Sequence, residues 1–203
     1  STRRREPADP ATPESEWIAA AQAGDEDAFG QLMQSHYEPV YRTVLAIVRN
    51  EHDARDLCQE IWVKVWQQIT RFRGEAKFST WLHPIATRRA LDHLRKRRRW
   101  FDRFLPFDRS DPASEDAPPA FEPRDETPSV PVQIEQAERH QHFENLLSSL
   151  PPKQRAVLAL REIQGLTYDE IAHALGCRRG TVMSRLFHAR RLLAQKLRDT
   201  PCD

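Results

Sequence analysis

The chain has 203 residues, 30% of them charged, yet its formal net charge is only +1. That length suits one ordinary domain or two small ones. No apolar run approaches the ~18 residues that a membrane span needs, and no basic-then-apolar secretion signal opens the chain. Membrane insertion is therefore not expected, and a cytoplasmic location is.

The small net charge hides strong local asymmetry. Residues 85–99 hold seven Arg/Lys and one acid, and residues 178–198 hold seven Arg/Lys and no acid. Between them, residues 101–134 hold eight acids and three Arg. Two basic blocks flanking an acidic one point to two polyanion-binding surfaces joined by a solvated connector. Three cysteines, Cys58, Cys177 and Cys202, stand far apart and unpatterned, which fits a reducing compartment better than a disulfide framework.

Residues 1–13 are polar and Pro-rich, and disorder is expected there. Apolar residues then recur at helical spacing, with no sustained alternation of period two, which predicts an all-α protein. A short helix is predicted over Glu14–Ala23, broken by Gly24-Asp25, with Asp25 able to cap the next one. That second helix carries Phe29, Leu32, Met33, Tyr37, Val40, Tyr41, Val44, Leu45 and Val48 on one broad face and ends at Arg49-Asn50. A third is predicted over His52–Ile69, a loop over Arg71–Lys77, and a fourth helix over Ser79–Lys96. Pro84 falls inside the fourth. An interior Pro costs ~3 kcal/mol and biases His83 away from helical angles, so either a kink or a helix start is predicted there.

Seven of the 26 residues from Pro106 to Pro131 are Pro, and acids, Ser and Ala fill most of the rest. Such a segment buries no core and reads as a flexible acidic linker. Fully extended, the roughly 33-residue connector spans up to ~110 Å. A second helical unit follows, with helices predicted over Glu135–Ser149, Lys153–Glu162, Tyr168–Leu175 and Arg179–Arg198. The chain thus divides into a start over 1–13, a first helical domain over 14–100, a linker over 101–134, a second domain over 135–199 and a tail over 200–203.

The strongest local signal runs from Leu166 to Val182. Thr167 and Glu170 form a capping box, Ile171, Ala172 and Leu175 share a face, and Gly176 supplies the left-handed turn that ends a helix sharply. The next helix directs Val182, Leu186, Ala189 and Leu193 inward and Met183, Ser184, Phe187, His188 and Arg191 outward. This is helix-turn-helix patterning, in which the second helix enters the DNA major groove. Amides near Gly180-Thr181, with Arg178 and Arg179, suit phosphate. A plain αα-hairpin with a solvated basic face is the alternative.

In the first domain, Arg88, Arg89 and Arg95-Lys96-Arg97-Arg98-Arg99 form a basic stripe that phosphates could bind, although cations also suit a helix C-terminus for its own sake. Phe72, Phe78, Trp81 and Trp100 lie nearby in sequence. Aromatics beside basic charge stack on unpaired bases, and the Arg71–Phe78 loop is the best candidate to hold an extruded base; each aromatic alone suits a core equally well. Asp53, Asp56, Gln59 and Glu60, beside Leu57, Ile61 and Trp62, make an acidic helix edge suited to a basic protein partner.

Together these blocks resemble the extracytoplasmic-function (ECF, group 4) sigma factors of the sigma-70 family. The stretch Asp56–Trp66 is similar to that family's core-binding helix. Phe72-Arg73-Gly74 with Phe78–Leu82 and Ile85-Ala86 is similar to its −10 domain, sigma-2. Leu150-Pro151, Arg155, Leu160-Arg161-Glu162, Gly165–Ala172 and Gly180–Leu186 are similar to its −35 domain, sigma-4. The resemblance implies an alternative sigma factor that binds core RNA polymerase (β′ clamp helices and β flap) and promoter DNA and is paired with an anti-sigma factor. It implies that Asp53, Asp56, Leu57, Gln59, Glu60 and Trp62 face the polymerase. Lys64, Phe72, Arg88, Arg89, Asp92, Arg95 and Lys96 would lie at the −10 element. Arg178, Arg179, Gly180, Thr181, Met183, Ser184, Phe187, His188 and Arg191 would lie at the −35 element. The acidic linker would thread through polymerase near the RNA exit.

Three departures stand out: Arg88 where the family commonly has Asn, Met183 and His188 where it commonly has basic residues, and Pro84 in a continuous helix. No catalytic motif, cofactor-binding motif or metal-ligand set is evident, Cys177 with His173 offering two ligands at most. No enzyme activity, cofactor or metal is therefore expected. The rival reading is an autonomous helix-turn-helix regulator whose first domain senses a signal, for which the acidic Asp56–Glu60 edge would have no use.

Overall fold

The computed structural model describes residues 13–104, 147 and 149–199. The helix predicted over Glu135–Ser149 and nearly all of the acidic linker lie outside these residues. Every regular element among the described residues is helical: α1 (Pro13–Gln22), α2 (Glu26–Val48), α3 (Glu51–Gln68), a 3-10 turn (Ile69–Arg71), α4 (Phe78–Phe104), α5 (Pro152–Glu162), α6 (Tyr168–Leu175) and α7 (Arg179–Asp199).

The helix boundaries follow from local chemistry. Asp25 is the N-cap of α2, its carboxylate accepting from the Ala28 amide at 3.0 Å. Arg49 ends α2 in the left-handed conformation at φ 63°. Asn50 then caps α3 at once, accepting from the Asp53 amide at 2.8 Å. The two helices therefore turn back on each other with two residues between them. Gln22 donates to the Ile69 and Phe72 carbonyls at 3.0 and 2.7 Å, pinning α1 across the 3-10 turn.

The first domain packs α1–α4 around α2. Leu32, Val40, Val44, Ile47 and Val48 of α2 meet Ala54, Cys58, Ile61 and Val65 of α3 and Phe78, Leu82, Ala86 and Ala90 of α4 in one buried cluster. Met33 and Tyr37, read with the apolar face of α2, are 38% and 36% exposed and rim that face instead. The second domain closes around Leu150, Val157, Leu160, Leu166, Ile171, Ala174, Val182, Leu186 and Ala189.

Pro84 does not start a helix. α4 begins at Phe78 and continues in helical conformation through Pro84 to Phe104, so its last four residues occupy the stretch assigned to the linker. The missing Pro N–H deprives one carbonyl of its partner. Tertiary packing outweighs that ~3 kcal/mol cost, because Leu82, His83, Pro84, Ala86, Thr87 and Ala90 are all buried.

The two domains are in direct contact, which the sequence reading did not anticipate. α5 lies on α2, and α6 lies on α4. Ala156 of α5 enters the first domain's core, and Leu175 of α6 packs against both cores. Gln164, just past α5, donates to the Pro39 carbonyl and the Thr43 hydroxyl of α2, each at 2.7 Å. His83 of α4 is 4% exposed. Burial, reinforced by nearby His36 of α2 and partly offset by Glu170 of α6, pushes its imidazole down to about 4.

The unfolded imidazole titrates near ~6.5, so the buried neutral ring favours the folded, packed chain fully above that pH. Its contribution is lost as pH falls toward 4. The linkage amounts to about 3 kcal/mol. An acid titration followed by thermal melting should show stability falling between pH 6.5 and 4, and His83→Gln should flatten that slope. An unchanged slope in the variant would assign the acid sensitivity to other groups.

Candidate nucleic-acid interface

Two surfaces gather most of the residues singled out from the sequence. The first is a groove of about 700 Å³ between α3 and α4. Its polar lining includes Gln59, Glu60, Lys64, Arg88, Arg89 and Asp92, over Ile61 and Ile85. Helical spacing explains the gathering: Glu60 and Lys64 are one turn apart on α3, as are Arg88 and Asp92 on α4, and each pair faces the other helix. Arg89 is hydrogen-bonded to the Glu60 carboxylate across the groove. Lys64 and Arg88 are exposed, so the groove presents positive charge beside an internally neutralised pair.

The expected polymerase-facing residues divide. Asp56, Gln59 and Glu60 are exposed along α3. Asp53 is turned toward α4, where Arg97 and His93 lie 3.0 and 3.2 Å from its carboxylate. Leu57 and Trp62 are 3% and 4% exposed and belong to the core rather than to a docking edge. Their spacing along α3 suits an exposed edge or a buried face equally, and burial against α2 and α4 decides it.

Phe72 is also buried. Its ring lies 5.6 Å from those of Phe78 and Trp81, edge-on to Phe78. These aromatics form a core cluster, and in this arrangement Phe72 offers no free face for stacking. Trp100, 56% exposed among the basic residues at the end of α4, is accessible there. Arg95 and Lys96 are exposed there, with Arg95 3.2 Å from Asp92. Cys58 is buried, and burial pushes its thiol up to about 11, leaving it protonated and unreactive near neutrality.

The second surface is the outer face of α7. Thr167 accepts from the Glu170 amide at 3.3 Å, while the Glu170 carboxylate accepts from the Thr167 amide at 2.8 Å, completing the capping box of α6. Gly176 ends that helix at φ 62°. This tight turn sets α7 across α6 with Val182, Leu186 and Ala189 buried. Met183, Ser184, Phe187, His188 and Arg191 are exposed, as are Arg178, Arg179 and Gly180, and Thr181 is half-buried. Arg179 is 3.1 Å from Asp169 and lies over the Tyr168 ring at 5.9 Å, which orients its guanidinium at the start of α7. Arg190 pairs with Glu162 at 2.7 Å and ties α7 back to α5. A basic helix with an open outer row and an oriented Arg at its N-terminus fits a major groove. Among the described residues no cluster of His, Cys, Asp and Glu could hold a metal ion, and no helix is long and apolar enough to cross a membrane.

Comparison with known proteins covers both domains. Residues 32–100 match the Sigma-70 region 2 family, and residues 140–193 match the Sigma-70 region 4 family. The chain is 34% identical over 195 residues to the ECF RNA polymerase sigma factor SigE of Mycolicibacterium smegmatis, covering 96% of this chain and 69% of that protein. It is 33% identical to the RNA polymerase sigma-H factor of Pseudomonas aeruginosa, covering 89% of this chain and 91% of the relative. Its fold is similar to that of CnrH, solved with the cytosolic domain of CnrY, at a TM-score of 0.64 and 22% identity over 94% of this chain and all of that one. It is similar as well to the sigma factor RpoE solved with the anti-sigma factor NepR from Bartonella quintana, at a TM-score of 0.63 and 23% identity over 84% and 96% of the two chains. With both regions present in order and identity sustained along nearly the whole length, the chain belongs to the ECF RNA polymerase sigma factors.

Proposed function

We propose that the chain docks on core RNA polymerase through the exposed edge of α3, reads the −10 element with the α3–α4 groove and reads the −35 element with the outer face of α7. The observation that carries this reading is the presence of two separate basic surfaces, one in each sigma region, with an acidic edge beside the first. Asp56, Gln59 and Glu60 form the edge for the β′ clamp helices, and the second domain meets the β flap. Lys64, Arg88, Arg89, Asp92, Arg95 and Lys96 hold the −10 strand. Arg178, Arg179, Gly180, Thr181, Met183, Ser184, Phe187, His188 and Arg191 form the −35 surface. Leu57, Trp62 and Phe72 act as core residues that hold α3 and the loop before α4 in position.

The protein works without catalysis of its own, as a group 4 sigma factor in the cytoplasm, and an anti-sigma factor controls it. The complex of RpoE with NepR supports that last assignment by analogy. Its −35 preference departs from that of relatives with Arg at the Met183 position. A thioether cannot bind guanine bidentately as Arg does, so Met183 reads by apolar contact, for instance with a thymine methyl.

Reconstituted transcription with core polymerase tests these roles. Asp56→Arg with Gln59→Arg leaves the Glu60–Arg89 pair intact and should weaken core binding about tenfold or more through like-charge contact, with the isolated chain still folded. Arg179→Ala or Ser184→Ala should lower −35-dependent initiation several-fold with core affinity unchanged. Full activity in both sets would contradict the residue assignments. Met183→Arg should shift preference toward a guanine in the −35 element by about 1–3 kcal/mol, measurable by selecting binding sequences from a randomised −35 library. An unaltered preference would remove Met183 from the reading surface.

A further inference from the structure

We infer that Met183 and Phe187 form an apolar pair that recognises C5-methyl groups in the DNA major groove. The −35 surface would then accept thymine or 5-methylcytosine at the positions the pair faces, reject unmethylated cytosine there, and respond to cytosine methylation of the promoter. This deepens the reading of α7 as the −35 helix and rests on it.

The pair stands out by its exposure. Phe187, 62% exposed, is the most exposed of the large apolar side chains among the described residues, and Met183 is 51% exposed. Large apolar side chains exposed singly are ordinary. These two are one helical turn apart and so lie side by side on the same face. The rest of that outer row is polar or basic: Ser184, His188 and Arg191, with Arg178 and Arg179 exposed at its N-terminal end. The inward row, Val182, Leu186 and Ala189, is already buried in the second domain's own core, so the pair is not needed to close that core. The basic rim selects a polyanion, and the apolar pair at its centre needs an apolar group on that polyanion.

Base-edge chemistry narrows the choice to one group. In the major groove guanine shows two acceptors, cytosine a donor, adenine an acceptor and a donor, and thymine an acceptor and its methyl. A thioether or a phenyl ring set against any of the polar groups displaces water without replacing its hydrogen bonds, which is unfavourable. Against the methyl both side chains gain apolar contact and lose nothing. 5-Methylcytosine carries the same methyl at the same ring carbon, whereas cytosine presents only a C–H there. Geometry permits two such contacts. Residues four apart on a helix are ~6 Å apart along its axis, and stacked bases are ~3.4 Å apart, so the pair meets bases one or two steps from each other. The His188 ring lies 5.6 Å from that of Phe187 at an interplanar angle of 76°, an edge-on contact that restricts the phenyl ring before DNA arrives.

The test uses the full chain with core polymerase and duplexes carrying a randomised −35 element. Selection from ordinary DNA should enrich thymine at the positions the pair faces. Replacing each such thymine with deoxyuridine deletes only the methyl and should weaken holoenzyme binding about fourfold, the effect of one buried methyl. Placing 5-methylcytosine rather than cytosine at the same position should strengthen binding by a similar factor. Met183→Ala with Phe187→Ala should bring both ratios close to one, and Met183→Leu with Phe187→Leu, which keeps apolar contact, should retain them. Circular dichroism checks that the variants fold. Equal binding of thymine and deoxyuridine duplexes by the wild type, or ratios unchanged in the alanine pair, would overturn the methyl reading. The sigma reading would still stand if the holoenzyme selects a −35 sequence. A holoenzyme that selects none would overturn that reading and the methyl reading with it.

Discussion

Burial of the apolar face of α2 is the constraint on which the rest of the structure depends. Val40, Val44, Ile47 and Val48 are at most 1% exposed, and α1, α3, α4 and α5 all pack on this one helix. By fixing α3 and α4 against α2, the core sets Glu60, Lys64, Arg88 and Arg89 on facing turns of one groove. Receiving α5 also makes α2 the platform that decides where the second domain rests. A charge inserted on the buried face would therefore disturb the α3–α4 groove and the domain arrangement together.

The chemistry of the two basic surfaces differs. The groove is internally compensated: Glu60 holds Arg89, Asp92 is near Arg95, and Asp53 engages His93 and Arg97. These pairs orient basic side chains and soften their field. The α7 face is less compensated, with Arg179 and Arg190 paired at its margins and Arg178 and Arg191 exposed. Its affinity for DNA should accordingly depend more strongly on salt.

What was legible in the sequence was local. The Thr167–Glu170 box, the turn at Gly176 and the inward and outward rows of α7 depend on spacings of three to seven residues, and each lies where the pattern put it. The all-helical class followed from periodicity in the same way. Burial by partners distant in the chain was not legible. The family resemblance makes Leu57, Trp62 and Phe72 site candidates, and only the neighbouring helices show them to be core. Pro84 read as a kink or a helix start because local cost was all the sequence displayed, whereas packing on several sides carries α4 through it. The docking of the domains left no trace, since Ala156 and Gln164 belong to no pattern that singles them out.

The central claim is that this one chain supplies promoter choice to the polymerase. Run-off transcription on fragments of the host genome, with the 5′ ends of the transcripts sequenced, tests it directly. The account predicts that core polymerase plus the chain initiates at a small set of defined positions sharing two upstream elements, and that core alone does not. Starts that are identical with and without the chain, or none at all, would contradict it.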